Sequence, residues 1–108
     1  MRDEKRKRLE AKGWRIGNAK EFLGLSPEED AYIEVKLKLA EAIRQRRRRR
    51  QLTQVDLAKL LHSSQSRVAK MEAGHPSVSL DLLVRSLFTL GATERELAAI
   101  IVRRAPAA

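Results

Sequence analysis

The chain has no cysteine, three prolines, five glycines and only one tryptophan, one tyrosine and two phenylalanines in 108 residues. Without thiols there are no disulfides and no thiolate metal sites, which fits a reducing, cytosolic setting. So few aromatics, beside abundant Leu, Ala, Arg, Lys and Glu, point to an all-α protein rather than a strand-rich one. The longest apolar run is Leu97 to Val102, far short of the ~20 residues of a membrane-spanning helix. Met1-Arg2 opens a charged segment with no apolar core behind it, so no secretory signal is expected. There is no phosphate-cradling glycine loop and no HExxH pair, and His62 and His75 have no ligand-like neighbours in sequence. The acids Glu28, Glu29, Asp30 and Glu34 crowd a helix start, where exposed N–H groups stabilise carboxylates without any catalytic role. No enzyme, cofactor or metal is expected.

What is present is positive charge. Lys and Arg number 23 against 14 Asp and Glu, a net charge of +9, with an isoelectric point near 10.7. That balance calls for an anionic partner, and nucleic acid fits it better than a membrane surface. The length suits one small unit with a modest core. Six of the seven residues from 44 to 50 are arginine. Two readings stand side by side: a solvated helix end favoured by the helix dipole, or a phosphate-facing patch that raises general DNA affinity.

The punctuation divides the chain into a charged extension, 1–25, and a helical domain, 26–104. In the extension Asn18 and Glu21 can cap a short helix closed by Gly24. Its Trp14, Ile16, Phe22, Leu23 and Leu25 either extend the core or bind a partner. Ser26-Pro27-Glu28-Glu29 then starts a long helix running toward Arg50. Thr53 opens a second helix to Leu61 and Ser64 a third to Ala73. Ser79 opens a fourth that stops at Gly91, and Thr93 with Glu96 a fifth that ends before Pro106. Leu97, Ile100 and Ile101 of the fifth suit either the core or a dimer seam.

The densest signal is Leu52 to Gly74, LTQVDLAKLLHSSQSRVAKMEAG. Val55, Leu57, Ala58, Leu60 and Leu61 are expected to face inward, and Val68 and Met71, three apart, share a side away from Gln65, Ser66 and Lys70. Gly74 reads as a left-handed terminator. A short polar helix held on an apolar brace is the shape that enters a DNA major groove.

The stretch resembles the helix-turn-helix of the Cro-like phage-repressor (XRE) family: Thr53-Gln54 opening helix two, Leu57-Ala58 inside it, Ser64-Gln65 opening the recognition helix, then Val68, Met71, Glu72 and Gly74. The leucine-rich SLDLLVRSLFTLGA from Ser79 also fits, and the likeness covers roughly residues 33–101. More loosely, GWRIGNAKEFLGLSPEE before such a domain is similar to HigA-like antitoxins and regulators. Gln51 departs from the pattern, standing where the family often has Gly, so the turn out of helix one is expected to be tighter or more helical than usual.

The resemblance implies a five-helix, lambda-repressor-like fold with a short helical N-terminal extension. It implies a homodimer on a palindromic double-stranded operator, acting in the cytoplasm at the nucleoid as a transcriptional regulator, most simply a repressor. Gln65 and Ser66 lie at the first turn of the recognition helix, where side chains meet base edges, and Gln suits adenine. Lys70 is one turn on, facing a base or a phosphate, and Arg67 faces either a phosphate or solvent. Ser64 caps the helix, and either does only that or in addition offers a hydroxyl to the backbone. By the resemblance, Gln54 touches a phosphate and buttresses Gln65, His75 and Ser77 lie in a loop that meets phosphates, and Arg47 pairs with Glu72. The alternative class is an antitoxin that neutralises a RelE/HigB-like toxin ribonuclease and represses its own operon. For that role the acids at 28–34 and the Trp14–Leu25 segment are the candidate surface, although the net charge of +9 weighs against a basic toxin.

Overall fold

The computed structural model describes residues 26–103, five helices with no strand among them: α1 (Pro27–Arg49), α2 (Gln54–Leu60), α3 (Gln65–Ala73), α4 (Leu80–Thr89) and α5 (Glu94–Val102). The short helix and apolar set expected before Ser26 lie outside the described residues. Every helix starts the same way. The hydroxyls of Ser26, Thr53, Ser64, Ser79 and Thr93 accept the backbone N–H three residues on, at 3.0–3.1 Å. Each satisfies a donor that a helix start otherwise leaves unpaired. At Thr53 and Thr93 the carboxylates of Asp56 and Glu96 reach back to the cap's own N–H, closing capping boxes.

α1 is the central strut, and α3, α4 and α5 all pack on it while α2 packs on α3. Leu39 and Ile43 of α1, Leu57, Val68, Met71, Leu87 and Leu90 are fully buried and make one cluster. Burying each of these stabilises the fold by roughly 1.5–3 kcal/mol. Ser86 also lies inside, and its hydroxyl donates to the Leu82 carbonyl at 2.7 Å, so the buried polar group is satisfied. Of the five residues expected to face inward from α2, Leu57 and Ala58 are buried and Leu61 partly so, whereas Val55 and Leu60 are each about half exposed (48% and 49%). A seven-residue helix turns its side chains through about two full circles, so its four apolar residues and the Leu61 cap cannot all share one face. On α5 Ile100 is buried and Leu97 packs against the core, while Ile101 and Val102 face out.

Four of the five helices end alike. The left-handed conformation falls on the residue after the cap at Gln51 (φ 58°), His62 (φ 53°) and Gly91 (φ 90°), and on the cap itself at Gly74 (φ 72°). In each case the next N–H bonds back five residues: Leu52 to Arg47, Ser63 to Ala58, His75 to Lys70 and Ala92 to Leu87, at 2.8–3.1 Å. This is the Schellman closure, which satisfies carbonyls at the helix end. The expectation of a tighter or more helical turn at Gln51 is therefore wrong. The turn keeps the geometry a glycine would give, because Leu52 must reach the core and Arg47 must receive its N–H, and Gln51 bears the resulting strain. A left-handed non-glycine residue costs about 1–2 kcal/mol, partly offset by the extra unfolded freedom of glycine. Gln51→Gly is accordingly expected to stabilise the domain by ~0.5–1 kcal/mol, read as a higher denaturation midpoint at unchanged m-value; an unchanged or lower midpoint contradicts the strain argument.

Candidate nucleic-acid interface

Between α2 and α3 the chain spends only Leu61 to Ser64 on its bend, and the left-handed His62 makes so short a turn possible. Val68 and Met71 drive one side of α3 into the core, leaving Gln65, Ser66, Arg67 and Lys70 exposed on the other. Ser64, Ser66, Arg67 and Lys70 line a shallow cleft of about 260 Å³, closed on its far side by Ser77 and Val78 from the loop after α3. Three hydroxyls and two cations converge there, a donor set that suits an anionic oxygen. His75 does not line the cleft. Its Nδ1 accepts the Ser77 N–H at 3.1 Å and lies 2.7 Å from the Ser77 hydroxyl, so it holds the loop in shape behind the serine.

Behind the exposed face runs a chain of hydrogen bonds. Gln65 Nε2 donates to Gln54 Oε1 at 2.6 Å, and Gln54 Nε2 donates to Glu72 Oε1 at 3.2 Å. Arg47 grips the same carboxylate with both prongs, Nη2 to Oε1 at 2.9 Å and Nε to Oε2 at 2.5 Å. Its remaining nitrogen donates to the Leu52 carbonyl at 2.8 Å. The Glu72 side chain is only 4% exposed and that of Arg47 13%, so water screens the pair little. The hydrogen bond to Glu72 raises the Arg47 guanidinium further above the usual arginine range. Arg47 and Glu72 thus join the end of α1 to the end of α3, and Gln54 ties the start of α2 to both ends of α3.

The arginine run divides by role. Arg46 bonds to Glu96 at the start of α5, and Arg50 donates to the Leu90 carbonyl at the end of α4 at 2.9 Å. Arg44 lies 3.8 Å from Glu41, one turn away on α1, while Arg48 and Arg49 stay exposed. Treating 44–50 as one patch misses these ties, since the partners sit 50 and 40 residues along the chain. The only hint in the sequence is the acid Glu96, already placed in a capping box.

A family model described as a helix-turn-helix domain matches residues 22–94. The chain belongs to the helix-turn-helix domain family. No curated protein and no solved structure gives a match. Within this helix-turn-helix domain α2 and α3 are the paired helices, and α3 presents the polar face. No described helix is long and apolar enough to cross a membrane, and no group of three or more His, Cys, Asp or Glu among the described residues could hold a metal ion.

Two consequences are measurable. Glu72→Ala leaves the Arg47 charge uncompensated in a half-dry site and is expected to destabilise the domain by ~3–5 kcal/mol; a loss under ~1 kcal/mol means the pair behaves as a solvent-exposed one. The second concerns acid. The Arg46 guanidinium foremost, then the Thr93 N–H and hydroxyl, hold the Glu96 carboxyl below its ordinary value of 4.5. With the folded value below the unfolded one, the unfolded chain binds the extra proton, so this contribution is fully present above about pH 4.5 and is lost as pH falls through the folded value. The melting-temperature gap between wild type and Glu96→Gln should shrink as pH is lowered from neutral through that window. A gap independent of pH contradicts the assignment.

Proposed function

We propose that the chain is a sequence-specific DNA-binding transcriptional regulator, acting as a repressor by occupying its operator. α3 is the recognition helix, laid in the major groove, and the unit from 26 to 104 is the DNA-binding domain. One observation carries this reading: α3 is core on one side and on the other presents Gln65 and Ser66 at its first turn, with Gln65 held by Gln54 rather than free. A helix entering the groove uses its N-terminal residues on base edges. Ser64, Ser66, Arg67, Lys70 and Ser77 line the neighbouring cleft and take the phosphate backbone, with His75 supporting Ser77. Gln54 adds a phosphate contact to its bracing role. Arg48 and Arg49 supply sequence-independent attraction through released counterions.

One recognition helix per chain reads one half-site, so the working form is a two-fold homodimer on a palindrome, with half-sites about one helical turn apart. The role is non-enzymatic and belongs to the cytoplasm, at the nucleoid. A second reading, an antitoxin of the HigA-like branch that neutralises a RelE/HigB-like toxin and represses its own operon, is compatible with the first. It draws support from the acids in the first turn of α1, Glu28, Glu29 and Asp30, at the opposite end of the helix from the arginines. That separation leaves an acidic surface for a basic toxin while the arginines face DNA. Co-purification with the product of a short neighbouring reading frame tests it.

The main reading is tested with an operator selected from random duplexes and a scrambled control, titrated at several salt concentrations and footprinted. Gln65→Ala should lose ~1–3 kcal/mol on the operator alone and relax preference at one position per half-site. The double variant Arg48→Ala, Arg49→Ala should weaken both duplexes and lower the log–log salt slope by about 0.9 for each phosphate left unneutralised. Two protected half-sites in two-fold symmetry are expected. Equal loss on both duplexes for Gln65→Ala, or a monomer saturating a single half-site, overturns the proposal.

A further inference from the structure

We propose that Glu72, though it never reaches DNA, sets the base preference of Gln65 by fixing which way its amide points, and that the base so chosen is adenine rather than guanine. The inference rests on Gln65 being a base reader, as proposed for the main function.

The argument is one of hydrogen-bond polarity. A glutamine amide has an accepting end and a donating end, and a free side chain offers either. A carboxylate engaged by Arg47 on both oxygens can only accept. Gln54 must therefore turn its NH₂ toward Glu72, which leaves its oxygen aimed at α3. That oxygen in turn requires the NH₂ of Gln65, as the 2.6 Å bond shows. One N–H of Gln65 is now used. What remains free is its oxygen together with the second N–H, an acceptor and a donor side by side.

Adenine presents in the major groove the complementary pair, an N6 donor and an N7 acceptor, whereas guanine presents two acceptors, N7 and O6. The locked amide matches both groups of adenine. Against guanine it sets its own oxygen against an acceptor and has a single N–H left to give. The direction of the whole series is imposed by the one charged acceptor at its buried end. Glu72 is 7% exposed, so the accepting end of the series is shielded from water, and the exposed bond to Gln65 takes its direction from there. Glu72 is thus a positioning residue acting through Gln54, and its effect on specificity is separate from its effect on stability.

Gln54→Met keeps side-chain length, leaves the Arg47–Glu72 pair in place and cuts the series between Glu72 and Gln65. Glu72→Gln supplies an acceptor that can also donate, so the series can run either way. Both are compared with wild type and Gln65→Ala on the selected operator, with the base pair facing Gln65 set to A·T or G·C, and folding is checked by thermal melts. Wild type is expected to favour adenine by about tenfold or more, and Gln54→Met to fall to within about threefold, with Glu72→Gln doing the same if its melt shows a folded domain. Preference at the other operator positions should hold in both variants. A Gln54→Met protein that keeps the full adenine-over-guanine ratio while Gln65→Ala loses it overturns the lock and leaves the base reader standing. A Gln65→Ala protein that keeps the ratio removes the base reader itself, and the inference with it.

Discussion

The rest of the domain leans on the ion pair between Arg47 and Glu72. It is the point where the ends of α1 and α3 and the turn before α2 meet, since Arg47 holds the Glu72 carboxylate and the Leu52 carbonyl together. A buried ion pair is not by itself a strong source of stability, because desolvating two charges offsets most of their attraction. Its value here is geometric. A bidentate guanidinium–carboxylate contact fixes direction as well as distance, so α3 cannot roll on its apolar side without breaking it. Val68 and Met71 alone would hold α3 against the core, but apolar packing is non-directional. The pair supplies the angle.

That constraint explains a strained turn. Leu52 N–H bonds to the Arg47 carbonyl while the Arg47 side chain bonds to the Leu52 carbonyl, so backbone and side chain close the same short loop from both ends. The path between them takes Gln51 through a left-handed conformation. Local preference loses there to two tertiary demands made on neighbouring residues. His62 is caught in the same way between the end of α2 and the start of α3.

These two residues also mark the limit of what is legible in the sequence. The helix starts are readable because a cap is a local event, a hydroxyl meeting an N–H three residues away, and Ser26, Thr53, Ser64, Ser79 and Thr93 all cap. The two glycine ends are readable for the same reason. Gln51 and His62 are not, because nothing in either side chain calls for positive φ; the demand comes from the residues they join. The α2 face is misjudged at Val55 and Leu60 since seven residues give too little periodicity to choose among five apolar side chains. The exposed polar face of α3, with Gln65, Ser66 and Lys70 away from Val68 and Met71, follows from their spacing. The bond from Gln54 to Glu72 does not, since it spans 18 residues and links two pairs that nothing in the sequence connects.

The arginine run shows how position along one helix separates like residues. Successive side chains are about 100° apart, so consecutive arginines must point to different neighbours. Arg46 meets α5, Arg47 meets α3 and Arg50 meets the end of α4, while Arg48 and Arg49 stay exposed, Arg49 at the rim of a cleft shared with Glu96, Ala99 and Ile100 of α5. Crowding so many cations is tolerable because each tie places one beside a carboxylate or a helix-end carbonyl, and the end of α1 itself favours positive charge. The exposed pair then sits at a helix end whose direction the other three determine. A flexible basic tail would give the same net attraction for phosphate. On the proposed reading, two arginines on a strut that also carries α3 give that attraction a fixed place relative to Gln65 and Ser66, so phosphate contact positions the base-reading side chains as well as strengthening the complex.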